Sequence, residues 1–280
     1  MRSRVKARIY FLAVGALWMG TSAYGQLADA FNSPRSNCCL ALNARGLADQ
    51  LQDWNQLGRY HEDNQKLKHL PAQAGRVVFM GDSITDFWKL DEYFPGKPYV
   101  DRGISGQTTT QMLVRMYPDV IELKPAAMMV LAGINDVSRN TGPSTAEIIE
   151  QNIMAMTELA QHHGIKVILC SLLPVSDYPY LRQQSQGFQA QPSAAGPGAP
   201  PFRRIKMTEG HPPADILKLN AWLKEYAARV NAVYTDYFAA LADDKGWLKD
   251  AYSADGLHPN AEGYKVIAPL AASAIQRALE

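Results

Sequence analysis

Cysteine is scarce in this chain of 280 residues, which contains only three. Cys38 and Cys39 are adjacent, which strains any bond between them, and Cys170 ends an apolar run where a buried thiol is expected. The sequence also lacks Cys-x-x-Cys pairs and Cys/His ligand spacings. We therefore predict neither a disulfide framework nor a structural zinc site.

The chain also lacks an excess of charge of one sign and a long hydrophobic run. Its 28 Lys and Arg residues against 27 Asp and Glu residues give a formal net charge of +1, so the composition carries no electrostatic footprint for nucleic acid or an anionic membrane. The apolar run from Ile9 to Gly20 would reach about 18 Å as a helix, well short of a bilayer core of ~30 Å. No Walker A motif and no G-x-G-x-x-G pattern follows a predicted strand, so nucleotide binding has no support.

This apolar run has the flanks of a secretory signal peptide. Four basic residues precede it, and the small-residue site from Ala23 to Gly25 follows it. We predict cleavage after Gly25, with Ala30 as the alternative, and export to the periplasm or the medium. Loss of residues 1–25 removes four positive charges and no negative ones, which changes the formal net charge from +1 to −3.

Five short apolar runs rich in β-forming residues alternate with helical patterns. The runs cover residues 76–80, 99–103, 127–132, 166–171 and 232–237, and helical patterns cover about 108–122, 144–163, 214–230 and 260–279. This alternation predicts an α/β fold with a five-stranded parallel sheet covered on both faces. The third and fourth runs are almost continuously apolar, which suits the centre of the sheet.

Two segments fall outside this alternation. Residues 46–70 repeat apolar residues close to the helical period, which predicts an amphipathic helix within an N-terminal extension over 26–74. Residues 181–204 are rich in Gln, Pro, Ala and Gly, which predicts a long mobile loop at the carboxyl edge of the sheet. The main domain is accordingly predicted over 75–280.

Four polar motifs follow the first three strands or precede the last helix: GDSIT (81–85), GISGQTT (103–109), GIND (133–136) and DGLHPN (255–260). Each motif has a structural interpretation. Ser83 and Asp86 have the spacing of a helix capping box, the second and third motifs suit turns, and Pro259 suits the first position of a helix. Their joint placement favours a functional site, because a parallel sheet brings all four to one edge.

The residue types in these motifs fit acyl transfer. A serine hydroxyl becomes a nucleophile when an imidazole takes its proton, and a carboxylate fixes the tautomer of that imidazole. Ser83, His258 and Asp255 supply these groups, and the D-x-x-H spacing lets one loop carry the last two. Candidate donors to a developing oxyanion are the backbone N–H groups of Ser83 and Gly106 and the side-chain amide of Asn135.

In this order, the four motifs resemble the four blocks of the SGNH, or GDSL-type, hydrolases, a family of serine esterases and lipases. The matches cover about 76–137 and 252–265, and the G-x-S-x-G elbow of the α/β-hydrolases is absent around Ser83. The resemblance implies a flavodoxin-like, three-layer α/β/α fold over about 75–280.

The resemblance also implies roles for individual residues. Ser83 would be the nucleophile, with Asp255 and His258 as its catalytic partners and with the oxyanion donors already named; no metal or organic cofactor is implied. Two positions depart from the family pattern. Ile84 stands where the family nickname has Leu, and Gln107 stands where many relatives have Asp, which leaves the polarity of the cleft open.

We therefore expect an exported serine ester hydrolase that works through an acyl-enzyme. The absence of a long apolar lid favours short acyl groups, especially acetyl esters of carbohydrates. A lysophospholipase or thioesterase is the enzymatic alternative, and an inactive sugar- or envelope-binding module is the alternative from another class. The expected partner is a small-molecule or polysaccharide ester, with no nucleic acid and no permanent membrane span.

Overall fold

The five predicted strands form one parallel sheet in the computed structural model, which describes residues 51–69, 73–185 and 206–280. The strands are β1 (Val77–Gly81), β2 (Tyr99–Gly103), β3 (Ala127–Leu131), β4 (Lys166–Cys170) and β5 (Val233–Thr235). Their spatial order is β2-β1-β3-β4-β5. The predicted α/β class is confirmed, with β3 at the centre and β4 beside it.

The register of the sheet aligns the carboxyl ends of three neighbouring strands. Gly81 at the end of β1 pairs with Gly103 of β2 on one side and with Leu131 of β3 on the other. Every residue of β1 and β3 is buried, which matches their continuous apolar sequences. The loops that follow these three strands therefore begin side by side at one edge.

Helices form layers on both faces of the sheet. They are α1 (His61–His69), α2 (Ser83–Asp86), α3 (Leu90–Tyr93), α4 (Thr109–Val114), α5 (Met116–Asp119), α6 (Ile134–Val137), α7 (Ala146–His162), α8 (Tyr178–Ser185), α9 (Met207–Gly210), α10 (Pro213–Arg229), α11 (Tyr237–Leu241) and α12 (Ala261–Leu279). On one face α7 packs against α4 and α10, and on the other α12 reaches α2 through a hydrogen bond from the Tyr264 hydroxyl to the Ile84 carbonyl.

The helix predicted over 108–122 is broken into α4, α5 and a short 3₁₀ turn, Ile121–Leu123. Pro118 explains the break, because its ring clashes with the carbonyl four residues earlier, on Val114, where α4 ends. The last helix begins at Ala261, capped by the Asn260 side chain, so Pro259 precedes the cap and does not open the helix.

The prediction of one continuous amphipathic helix over 46–70 is wrong for the described residues. Residues 53–60 form bends and turns, and α1 starts only at His61. The residue that α1 buries is the polar Asn64, whose Oδ1 accepts from Arg102 at 2.8 and 3.0 Å. The compact unit that contains the sheet consequently begins at Asn55, ahead of the predicted boundary at 75.

The loop predicted from Leu181 starts later than expected, because α8 continues to Ser185; Leu, Arg and Gln are good helix formers. The rest of that loop, 186–204, lies outside the described residues, as do the predicted signal peptide over 1–25 and the Cys38–Cys39 pair. Cys170 is a buried free thiol. Over the described ranges, every helix is too short or too polar to cross a lipid bilayer.

Candidate active site

The four polar motifs meet at the carboxyl edge of the sheet. Ser83 Oγ lies 2.9 Å from His258 Nε2, although 175 residues separate the two in sequence. Ser83 follows β1, and Asn135 follows the adjacent β3. The chain leaves β1 towards β2 on one side and returns to β3 on the other, and open α/β sheets bind ligands where the strand order reverses in this way.

Ser83 is the first residue of α2, and the side chain that caps this helix is Asp82. Asp82 Oδ1 accepts a hydrogen bond from the Ile84 N–H at 3.0 Å. The capping box considered for Ser83 and Asp86 is therefore not formed. The Ser83 hydroxyl therefore hydrogen-bonds with His258, and the Ser83 N–H lies at the positive end of a helical turn.

Asp255 and His258 come from one loop, as their spacing predicts. His258 Nδ1 lies 2.6 Å from Asp255 Oδ2, while Asp255 Oδ1 accepts from the N–H groups of Leu257 and His258, each at 2.9 Å. Burial alone would raise the pKa of Asp255. The hydrogen bonds from His258 and Leu257 and the charge on His258 outweigh it and hold that pKa well below its usual range.

The loop that carries Asp255 and His258 is tied to the segment after β4. The Ser176 N–H donates to the Gly256 carbonyl at 2.8 Å, and Gly256 has a φ of +87°. A Cβ at Gly256 would lie 2.1 Å from the Ser176 carbonyl oxygen. Only glycine fits this approach, which fixes where the imidazole stands.

The two other candidate oxyanion donors lie in neighbouring loops that bond to each other. Gly106 has a φ of +82° in the loop after β2. Asn135 Nδ2 donates to the Gln107 carbonyl at 3.0 Å, and Asn135 Oδ1 accepts from Asn140 Nδ2 at 2.8 Å. The candidate amide is thus held in one orientation, and one hydrogen of its Nδ2 remains available to a ligand.

Gln107 does not set the polarity of the cleft, because its side chain is fully buried and turned away from it. Its Oε1 accepts from Arg115 Nε at 2.6 Å, and its Nε2 donates to the Asn55 carbonyl at 2.8 Å. Arg115, also fully buried, donates further to the Gly81 carbonyl at 3.0 Å and to Asp119 at 2.9 Å. This guanidinium connects the residue before the Asp82–Ser83 turn to the Gln107 loop.

Two carboxylates hold the loop after β2 at its ends. Asp86 accepts from the N–H and hydroxyl of Ser105, and Asp136 accepts from the N–H and hydroxyl of Thr109 at 2.9 and 2.6 Å. Sequence reasoning assigned no role to Asp136 or Asn140 and placed Asp86 in a capping box. The position of Asp136 in GIND could have indicated this role. A carboxylate that follows β3 lies next to the start of the helix that follows β2, where it can accept hydrogen bonds.

Within the described parts of the chain, no group of three or more His, Cys, Asp or Glu side chains is arranged to hold a metal ion. What the arrangement offers is a path for one proton from the Ser83 hydroxyl to the His258 imidazole, beside amide donors. A serine, a histidine and an aspartate in series at the edge of a parallel sheet are typical of α/β serine hydrolases.

The family model of the GDSL-like Lipase/Acylhydrolase family matches residues 79–266. The chain therefore belongs to this family, and it is a carboxylic ester hydrolase. The resemblance to the SGNH hydrolases and the predicted enzyme class are both confirmed.

Proteins of known structure match most of the chain. A Bacteroides fragilis protein assigned as an acylhydrolase is 35% identical, with a TM-score of 0.67 over 81% of this chain and 99% of its own. An acetyl-xylooligosaccharide esterase of Geobacillus shares the fold at 19% identity and a TM-score of 0.53, over 73% of this chain and 95% of its own.

A Bacillus subtilis protein called lipoprotein YqeF is 28% identical over 144 residues. The match covers 42% of this chain, and the chain spans 59% of the length of that relative.

Proposed function

We propose that the protein hydrolyses carboxylic esters through an acyl-enzyme formed on Ser83. Two consecutive contacts support the proposal. Ser83 Oγ lies 2.9 Å from His258 Nε2, and His258 Nδ1 lies 2.6 Å from Asp255 Oδ2. Ser83 Oγ attacks the ester carbonyl while His258 takes its proton, and Asp255 stabilises the imidazolium that forms.

The tetrahedral intermediate places negative charge on the former carbonyl oxygen. In the proposal this oxygen accepts hydrogen bonds from the N–H groups of Ser83 and Gly106 and from Asn135 Nδ2. When the C–O bond to the alcohol breaks, His258 returns its proton to the leaving oxygen, and the acyl group stays on Ser83.

Deacylation repeats these steps with water. His258 takes a proton from water as the water oxygen attacks the acyl carbonyl, and it then protonates Ser83 Oγ as the acid leaves. The two half-reactions together consume one water and release one alcohol and one acid, and no step in them requires a cofactor.

The proposed substrates are short-chain esters, above all acetyl groups on carbohydrates. The support is the lack of a long apolar lid in the sequence. The Geobacillus esterase that shares the fold makes acetylated xylo-oligosaccharides the first carbohydrate esters to test.

The test of the nucleophile is labelling with a fluorophosphonate probe, which reacts with activated serines. The native protein should become labelled and Ser83→Ala should not. An unreactive native protein would favour the inactive binding module, and labelling of Ser83→Ala would remove Ser83 from its role. An acyl series of p-nitrophenyl esters tests the chain length, where an optimum at eight carbons or longer would favour the lysophospholipase or thioesterase alternative.

We also propose that the protein is exported and that residues 1–25 are removed. The basic residues and the apolar run at the N-terminus support this, and the relationship to a Bacillus lipoprotein is consistent with it. Cell fractionation with N-terminal sequencing should recover a chain that begins at Gln26. An intact N-terminus in the cytoplasmic fraction would contradict export.

A further inference from the structure

Asn140 contacts both residues that are proposed to supply oxyanion donors from outside α2. Its Nδ2 lies 2.8 Å from Asn135 Oδ1 and 3.3 Å from the Gly106 carbonyl oxygen. Its own Oδ1 accepts from the Ser138 hydroxyl at 2.9 Å. Because the Gly106 carbonyl oxygen can only accept, the end of the Asn140 amide that faces it and Asn135 is the nitrogen.

The orientation of the Asn135 amide decides whether it can stabilise an oxyanion. A half-turn of that amide would put its oxygen against the Gln107 carbonyl and its nitrogen against Asn140 Nδ2, so that two hydrogen bonds would become repulsive contacts. It would also present lone pairs, not an N–H, to the developing anion. Asn140 donates to the oxygen of the Asn135 amide and the Gln107 carbonyl accepts from its nitrogen, so the two partners together fix one orientation of this amide.

The backbone bends sharply before Asn140, which brings this residue next to Asn135. Arg139, just before it, has a φ of +60°, in the left-handed region that non-glycine residues avoid. The Asn140 N–H then donates to the Asn135 carbonyl at 3.0 Å. A strained residue beside a functional loop persists only when surrounding contacts hold it.

We propose that Asn140 is a positioning residue that fixes the Asn135 amide as an oxyanion donor. The proposal rests on the proposed function, in which Asn135 Nδ2 binds the tetrahedral intermediate. Because the contact acts on a donor used in the transition state, its loss lowers kcat and leaves KM nearly unchanged.

The test is a double-mutant cycle between positions 140 and 135, measured as kcat and KM on p-nitrophenyl acetate. We expect Asn140→Ala to lower kcat about tenfold and Asn140→Asp, which replaces the donor by a carboxylate, about 10²-fold. In an Asn135→Ala background, Asn140→Ala should change kcat less than twofold.

Asn152→Asp is the matched control. Asn152 Nδ2 donates to the hydroxyls of Thr109 and Thr110 at 3.0 Å each, so it touches the end of the same loop without touching a proposed donor. It should keep kcat within threefold. An Asn140→Ala enzyme with native kcat, or an equal loss in the Asn135→Ala background, would overturn the positioning role. Activity of Ser83→Ala would instead overturn the proposed function.

A different observation concerns the ring of Phe87, which stands exposed beside His258. The two ring centroids are 5.3 Å apart, with planes tilted by 54°, and Phe87 is 53% exposed. The Phe87 N–H donates to the Ser83 carbonyl at 3.0 Å, so the ring is placed relative to the proposed nucleophile by α2 itself.

The alcohol of an ester must place its oxygen within hydrogen-bond reach of His258 Nε2 to receive the proton. The alcohol therefore lies on the His258 side, while the acyl oxygen faces the amide donors. From this geometry we infer that Phe87 binds the leaving alcohol and that the preferred alcohols present an apolar face, such as a sugar ring or an aryl group. Covering that face is favourable because it removes apolar surface from water. This inference also rests on the proposed function.

Two substrate series separate the alcohol from the acyl group. With acetyl esters of p-nitrophenol, a xylo-oligosaccharide and ethanol, Phe87→Ala should lower kcat/KM for the first two about tenfold relative to ethyl acetate. With p-nitrophenyl esters of increasing chain length, the acyl profile should stay native. An altered acyl profile, or equal losses for all three alcohols, would overturn the inference.

Tyr117→Ala provides the control. Tyr117 is also an aromatic residue about half exposed (51%) beside a histidine, His163, but it lies on α5 and lines a surface cavity with Lys124 and Pro125, which precede β3 at the opposite edge of the sheet. Its replacement should leave both series unchanged.

Discussion

Asp86 holds Ser105 through a single carboxylate oxygen, Oδ2, which accepts from the Ser105 N–H at 3.1 Å and from its hydroxyl at 2.6 Å. Asp86 is the last residue of α2, which begins at Ser83, and Ser105 directly precedes Gly106. The contact therefore sets the distance between two backbone N–H groups that are proposed to bind the same oxyanion.

Asp86→Asn should lower kcat about tenfold or more with a small change in KM. The amide oxygen can accept both bonds, but it carries no charge: hydrogen bonds to a charged group are worth about 1.5–3 kcal/mol, against about 0.5–1.5 kcal/mol for neutral ones. Steady-state kinetics on p-nitrophenyl acetate measures the loss. Arg59→Ala is the control, because the ion pair of Arg59 with Asp86, at 3.1 Å, is half exposed, and such pairs contribute about 0–1 kcal/mol. Equal losses in both variants would contradict the role of Ser105.

Gly256→Ala should abolish most activity and lower stability. The new Cβ would meet the Ser176 carbonyl, so the loop with Asp255 and His258 must move. Gly246→Ala separates this clash from backbone strain, since Gly246 has a similar φ of +75° with open space around it. That control should cost about 1–2 kcal/mol of stability and keep kcat. Thermal unfolding and kinetics together check the pair, and native kcat in Gly256→Ala would refute the argument.

Asp255→Asn should lower kcat by about 10⁴-fold while the fold is kept. The amide can still accept from the backbone N–H groups of Leu257 and His258, but it no longer fixes the imidazole tautomer or stabilises its charge. Circular dichroism should match the native protein. A loss below tenfold would show that another group orients His258.

The contribution of Asp82 to the stability of the protein should fall as pH rises from about 4 to about 7. Burial raises the Asp82 pKa to about 7. The negative charge of Asp136 also raises this pKa, whereas the hydrogen bond from the Ile84 N–H and the charges of His258 and Arg115 lower it in part. The folded protein therefore holds a proton that the unfolded chain has released above its own pKa near 4. Each pH unit in this window costs up to about 1.4 kcal/mol, and the cost stays constant above pH 7.

Asp82→Asn tests this linkage, because its amide oxygen can still cap α2 but cannot titrate. Urea unfolding at several pH values should show the variant gaining stability relative to the native protein between pH 4 and 7. A constant difference across this range would mean that Asp82 is ionised in the folded state.

Much of the fold could be predicted from sequence, because buried parallel strands and amphipathic helices leave local periodic patterns. The five strands appeared as apolar runs, and α7, α10 and α12 began and ended within two residues of their predicted limits. The predictions of helices were wrong where a single residue or a tertiary contact outweighed the local periodic pattern. Pro118 broke one helix, and the apolar repeat near Leu57 and Tyr60 lies in turns before α1.

The sequence by itself determined the residue types and their order: a serine after a buried strand, a glycine-containing loop, an asparagine after β3, and an Asp-x-x-His pair before the last helix. It also determined the family, since these motifs are short and local. Their partners are not local. Asp86 to Ser105, Thr109 to Asp136 and Arg115 to the Gly81 carbonyl depend on side-chain directions set by neighbouring strands in register. Only the tertiary structure decided these contacts, because a hydrogen bond needs its donor within about 3 Å of its acceptor, and no sequence period encodes that distance.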